Sequence, residues 1–270
     1  IADNETPILC NGFKDDEYIE LAMIGRKIGR NITPVVEKYT ELELILKHAE
    51  KMGVKPSIGI RLKLASRGSG RWKSSGGYRS KFGLTVTEAM RALERLKALG
   101  MGDCLKLIHF HLGSQITNIR QIKGAVIEAA RIYVELKRAG AGLEFIDVGG
   151  GLGIDYDGSQ TDFESSVNYT LQEYANDVVY HIQNVCEEAE VATPNIISES
   201  GRAVAACCKS APCALVNAVI CSHSVAADSN DFEIRHFLLT SSSLERVEPS
   251  QLVHDHHLRE RLPVNDLHRE

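Results

Sequence analysis

Ile146-Asp147-Val148-Gly149-Gly150-Gly151-Leu152-Gly153 is an apolar run that ends in three consecutive glycines. Without a Cβ the peptide bends freely and lets an anion approach, and successive bare amides at a strand end supply donors to it. A phosphate is the natural occupant, although a glycine cluster alone is weak evidence. Two other segments have the same form. His111-Leu112-Gly113-Ser114-Gln115 follows the apolar stretch Leu105-Lys106-Leu107-Ile108, and Glu199-Ser200-Gly201-Arg202 follows Asn195-Ile196-Ile197-Ser198. Three polar, glycine-bearing strand ends in succession imply one shared site.

Short apolar runs alternate with longer amphipathic ones around these segments. The pattern predicts strands over Pro7 to Cys10, Thr33 to Val36, Ser57 to Leu64, Leu105 to Phe110, Leu143 to Val148 and Asn195 to Ser198. Helices are expected over Asp15 to Ile28, Thr40 to Lys51, Thr87 to Leu99, Ile119 to Ala139 and Ser165 to Ala189. Leu42, Ile45, Leu46 and Ala49 recur at helical spacing, and Thr40 with Glu43 reads as a capping box. Gly29, Gly53, Gly100 and Gly140 each follow a helix, where a left-handed residue ends it. This β-α order favours a parallel sheet with right-handed crossovers. A (β/α)8 barrel is preferred to an open sheet because polar motifs stand at the carboxyl ends of several strands. The glycine cluster is no dinucleotide fingerprint, since a turn-rich stretch, Ile154-Asp155-Tyr156-Asp157-Gly158, follows it and not a helix. Six strands are expected where a closed barrel has eight, so the missing two are placed before Ile1.

Composition excludes several classes. The 270 residues are 43% hydrophobic and 25% charged, with 31 basic against 36 acidic residues, a net charge of −5. No basic stripe points to nucleic acid. No apolar run reaches the roughly 18 residues of a membrane helix, and Ile1-Ala2-Asp3-Asn4-Glu5 has no signal-peptide character, so a cytoplasmic chain is expected. It begins without Met, which suggests a piece of something longer. Cys10, Cys104 and Cys186 read as small buried thiols. Cys207, Cys208, Cys213 and Cys221 with His223 could hold zinc, but no paired CxxC spacing supports it.

The ordered motifs Phe110-His111-Leu112-Gly113-Ser114, Asp147-Val148-Gly149-Gly150-Gly151 and Glu199-Ser200-Gly201-Arg202 resemble the fold-type III enzymes that use pyridoxal phosphate, whose barrel is of the alanine-racemase kind. Within them, Ile24-Gly25-Arg26-Lys27-Ile28-Gly29, Ala65-Ser66-Arg67-Gly68-Ser69-Gly70-Arg71-Trp72 and Ser80-Lys81-Phe82-Gly83-Leu84 are similar to the biosynthetic arginine decarboxylases. The resemblance covers about residues 7 to 206. It implies that His111 lies against the cofactor ring, and that Ser114, Gly149, Gly150 and Gly151, with Gly201 and Arg202, hold the phosphate. Glu199 would pair with the ring nitrogen and favour its protonated form, making the ring an electron sink. The catalytic residues implied are thus His111 and Glu199. Mg2+ and a homo-oligomer of at least two copies are family implications only.

Each motif has a plainer reading when taken singly. His111 could be a packed histidine, Glu199 to Arg202 a surface turn, and the loop Arg67 to Gly77 a flexible insertion. Asp155 to Gly158 reads as a solvated turn, and Glu187, Glu188 and Glu190 as a wet helix face. The chain also departs from the family. The Lys that binds the cofactor covalently belongs on the first barrel strand, before Ile1, and the Cys and Asp a partner lends from a later β-domain have no counterpart. Gly76-Gly77 leads to Tyr78-Arg79 where the family has an acidic and a basic residue. After Val204 the resemblance fades: residues 207–270 hold four of seven cysteines and six of ten histidines, including His254-Asp255-His256-His257, with unsustained alternation around Glu233-Ile234-Arg235-His236.

The expected organisation is a partial barrel domain over 1–206 and an atypical tail, disordered or foreign to the family, over 207–270. The expected function is conversion of L-arginine to agmatine and CO2 in polyamine (spermidine) synthesis, with these residues inactive by themselves. A diaminopimelate or ornithine decarboxylase, or a non-catalytic regulatory relative, is the alternative.

Overall fold

A computed structural model describes residues 4, 6–66, 80–202, 223–225 and 234–236. The loop Arg67 to Gly77, the Tyr78-Arg79 departure, the clustered cysteines and the His254 to His257 run lie outside the described residues. Six strands alternate with five helices: β1 (Ile8–Cys10), α1 (Asp16–Lys27), β2 (Ile32–Val36), α2 (Tyr39–Met52), β3 (Ile58–Arg61), α3 (Val86–Ala98), β4 (Leu105–His109), α4 (Ile119–Arg138), β5 (Phe145–Asp147), α5 (Leu171–Glu188) and β6 (Asn195–Ile197). The strands pair in chain order, all parallel, as one incomplete barrel wall. Parallel strands need crossovers, and each helix supplies one.

The main core lies between sheet and helices, where Ile19, Met23, Leu42, Ile45, Leu93, Leu96, Ala125 and Val126 pack against Ile58, Ile60, Ile108 and Ile146. A second, smaller cluster of Val35, Leu107 and Ile197, with Leu9 and Phe145, occupies the opposite face. Alternation along each strand therefore separates helix-facing from inward-facing side chains. Asn11, just past β1, donates to Glu199 Oε1, just past β6, at 2.5 Å. In a flat sheet, strands five positions apart would stand about 24 Å from each other. The two edges meet because the sheet curls.

Local details correct three expectations. No capping box forms at Thr40: α2 begins at Tyr39 behind Lys38, and Glu43 instead binds Arg95 through two 3.2 Å contacts. Capping boxes occur at Thr85 with Glu88 and at Thr170 with Glu173. Helix α5 starts at Leu171, not Ser165, because Ser165 and Ser166 donate to Asp157 and Asp155 and belong to the preceding turn. In the tail, β7 (His223–Val225) and β8 (Ile234–His236) pair antiparallel, so strand structure exists where the sequence alternation was too brief to indicate it. Gly29, Gly53, Gly100 and Gly140 do adopt positive φ after their helices. Cys10, Cys104 and Cys186 are buried free thiols.

Lys14 is fully buried. Its Nζ lies 3.1 Å from Glu41 and donates to the carbonyls of Val35, at 2.6 Å, and Gly12. Glu41 also accepts from the amides of Lys14 and Glu37. Removing one member strands a charge in the interior, so Glu41→Leu should lower stability by about 3–5 kcal/mol. A urea midpoint unchanged in that variant would show the pair to be dispensable.

Candidate functional site

The carboxyl ends of β3, β4 and β5 bring ionisable side chains into one row. Arg61, His109 and Asp147 are direct register neighbours across the sheet. His109 Nδ1 lies 2.8 Å from Asp147 Oδ2, obliquely enough that neither atom makes an aligned hydrogen bond, so the contact is chiefly one of charge. Both side chains are buried. Arg61 Nη1 donates to both oxygens of the buried Glu37, at 2.9 and 3.2 Å, and Glu37 also accepts from the Gly12 amide at 3.0 Å.

Above this row the three motif loops interlock. Gly149 has φ +67°, and a Cβ there would stand 2.3 Å from the Phe110 carbonyl oxygen. At Gly150 it would meet the Glu199 carbonyl at 2.6 Å, and at Gly151, with φ +100°, the Gly113 carbonyl at 2.4 Å. All three glycines are therefore required by close approach to the loops after β4 and β6. The Gly149 amide donates to Asp147 Oδ1 at 2.9 Å, the Gly149 carbonyl accepts from the Glu199 amide at 3.0 Å, and the Gly150 amide faces His111 Nδ1 at 3.4 Å. On the opposite side Arg202 reaches back to Ser114 Oγ at 2.7 Å and to the Tyr156 hydroxyl at 3.2 Å, with Gly201 and Arg202 in a helical turn.

Electrostatics separates the two ends of this arrangement. Burial raises the pKa of Glu199 and the neighbouring Asp147 charge adds to it, while His109, Arg61 and Asn11 oppose the rise. Solvent reaches His111, but protein crowded around its ring desolvates it, and with the Arg61 and His109 charges brings its pKa down to about 4. His111 is accordingly neutral at neutral pH. Burial is the largest single influence on His109 and would depress it, but its contact with Asp147 and the Glu199 charge together outweigh burial and the Arg61 charge and raise its pKa.

All eight residues singled out in the sequence stand on these interlocking loops. Asn11, Glu37, Arg61 and His109 were missed, and Asp147 and Tyr156 were quoted without a role in the site. The available signal was an ionisable residue closing each of three largely apolar strands. The Asp155 to Gly158 stretch is an exposed turn closed by its own carboxylates, and Glu187, Glu188 and Glu190 are exposed on or just after α5.

A family model described as pyridoxal-dependent decarboxylase, pyridoxal binding domain, matches residues 2–206. The chain belongs to this family. Its biosynthetic arginine decarboxylase members from Rhodopirellula baltica and Geobacter sp. are 66% and 55% identical to it over 206 and 203 residues. Those matches cover 76% and 75% of this chain but 31% and 32% of the relatives, so the chain spans about a third of their length. Among solved structures, the biosynthetic arginine decarboxylase of Campylobacter jejuni superposes with a TM-score of 0.65 at 35% identity, over 96% of this chain and 40% of that one. Diaminopimelate decarboxylase of Helicobacter pylori, solved with L-lysine, gives 0.59 at 25% identity over 82% and 50%. The family's cofactor is pyridoxal phosphate, and the loops fit it: a cradle that any Cβ would fill, an Arg–Ser pair facing it, and the buried Asn11 Oδ1 without a protein partner beside Glu199. Among the described residues no helix is long and apolar enough to cross a membrane.

Proposed function

We propose that the chain carries the pyridoxal phosphate site of an arginine decarboxylase that releases agmatine and CO2, feeding polyamine synthesis in the cytoplasm. The observation that carries this reading is the convergence of the glycine cradle, Arg202 with Ser114, and Glu199 on adjoining strand ends of a family domain. Arginine as substrate rests on likeness to the named relatives, as does a homo-oligomer. The reading assigns 1–206 to the cofactor domain and leaves 207–270 outside it.

When bound, pyridoxal phosphate supplies the electron-poor ring that accepts the electron pair left by departing CO2. Arg202, Ser114 and the Gly150 and Gly151 amides are assigned to the phosphate, where a forked cation and N–H donors suit spread negative charge, the Gly150 amide giving up its long 3.4 Å bond to His111 Nδ1 to do so. Gly149 contributes shape, since its amide is committed to Asp147. Glu199 holds a proton on the ring nitrogen by remaining a carboxylate. His111, uncharged, offers a flat face that does not repel a protonated ring.

A chimera tests this directly. Residues 2–206 placed in the corresponding stretch of the Rhodopirellula baltica protein should bind pyridoxal phosphate and release CO2 from arginine faster than from ornithine, lysine or diaminopimelate. Preference for another amino acid would replace the substrate. Failure to bind the cofactor in a folded chimera would remove the whole reading.

A further inference from the structure

His109 and Asp147 are buried, close together, and unused by the chemistry above. Atoms of His109, Asp147 and Glu199 that could carry charge lie within 4.8 Å of one another. Two carboxylates this close in a desolvated place do not both stay ionised without a cation, because each raises the other's affinity for a proton. Arg61 is the obvious cation, but its Nη1 spans both oxygens of Glu37. Asn11 brings a hydrogen bond and no charge. His111 is neutral at neutral pH and Tyr174, whose pKa is pushed up to about 12, is neutral too. The imidazole 2.8 Å from Asp147 is the group left to balance the pair.

Resting on the assignment of Glu199 to the ring nitrogen, we propose that His109 is a positioning residue: through Asp147 it supplies the positive charge that keeps Glu199 ionised. Asp147 then serves both ends of the site. One oxygen faces His109, and the other holds the Gly149 amide of the phosphate turn. The pKa of His109 is raised, in the direction of a charged ring, and its charge pulls the Glu199 pKa down against the burial and the Asp147 charge that raise it, which is the sign the proposal needs.

The test follows the Glu199 carboxyl by carbon NMR in the 270-residue chain, ligand-free and with EDTA present, with Glu199→Gln identifying the signal. His109→Gln should move its midpoint up by about one pH unit, a tenfold change in proton affinity. Asp147→Asn should move it down, and the double variant should return it close to the starting value. That reversal is not the signature of a merely structural role. Pyridoxal phosphate affinity in His109→Gln should fall at neutral pH and recover as pH rises past the new midpoint. A Glu199 midpoint unmoved by His109→Gln, or moved the same way by both single changes, would overturn the proposal. Should the variants not fold, the imidazole shift of His109 in the unsubstituted chain decides, since a neutral ring at pH 7 also overturns it. Shifts as expected in the 270-residue chain, with no pyridoxal phosphate binding by the folded chimera, would support the charge pairing and sink the cofactor reading instead.

Discussion

Glu199→Gln in the chimera should slow CO2 release from arginine by on the order of a hundred- to ten-thousand-fold, the range for losing one well-placed proton-holding group. The substitution keeps volume and a carbonyl oxygen able to accept from Asn11, so the loops around it should stay in place. What it removes is the negative charge that favours a proton on the ring nitrogen. Cofactor affinity should change far less than rate, because Arg202, Ser114 and the glycine amides are untouched. Initial rates with saturating arginine and pyridoxal phosphate check this, and a loss under tenfold would show that Glu199 is not the partner of the ring nitrogen.

The second large effect concerns shape. Gly149→Ala should destabilise the fold by about 3 kcal/mol or more and abolish cofactor binding, since it joins a strained left-handed conformation to a backbone collision. Gly158 provides the control: its φ of +76° matches the +67° of Gly149, but nothing lies within 4 Å of its missing Cβ. Gly158→Ala should therefore cost only about 1–2 kcal/mol. Urea unfolding of the two variants separates conformation from contact, and equal midpoints would mean that the 2.3 Å approach to Phe110 is relieved at little cost.

The alternation of elements was legible because each helix carries an apolar stripe and most end at a glycine that only a left-handed residue could replace. The glycine cradle was legible for the same reason, since a run of residues without Cβ has few other uses. Thr40 with Glu43 misled because local spacing satisfies a capping box, whereas the neighbouring Glu41 is drawn inward by a buried lysine from before β2. Ser165 and Ser166 misled because they look like helix-starting residues, yet distant aspartates of the same loop claim their hydroxyls. That Arg61, His109 and Asp147, each closing its own strand, stand in one row could not be read along the chain. Its members are separated by dozens of residues and become neighbours only through strand register.

The bond from Asn11 to Glu199 spans 188 positions. A polypeptide made from its amino terminus can assemble β1 to β5 with their helices while this partner of Asn11 is still unmade. Non-local contacts of this kind are closed late, after the local ones have offset much of the entropy of ordering. Competence to hold the cofactor thus waits until Glu199 has joined Asn11, and a nascent or partly unfolded chain presents β1 to β5 with an unfinished site.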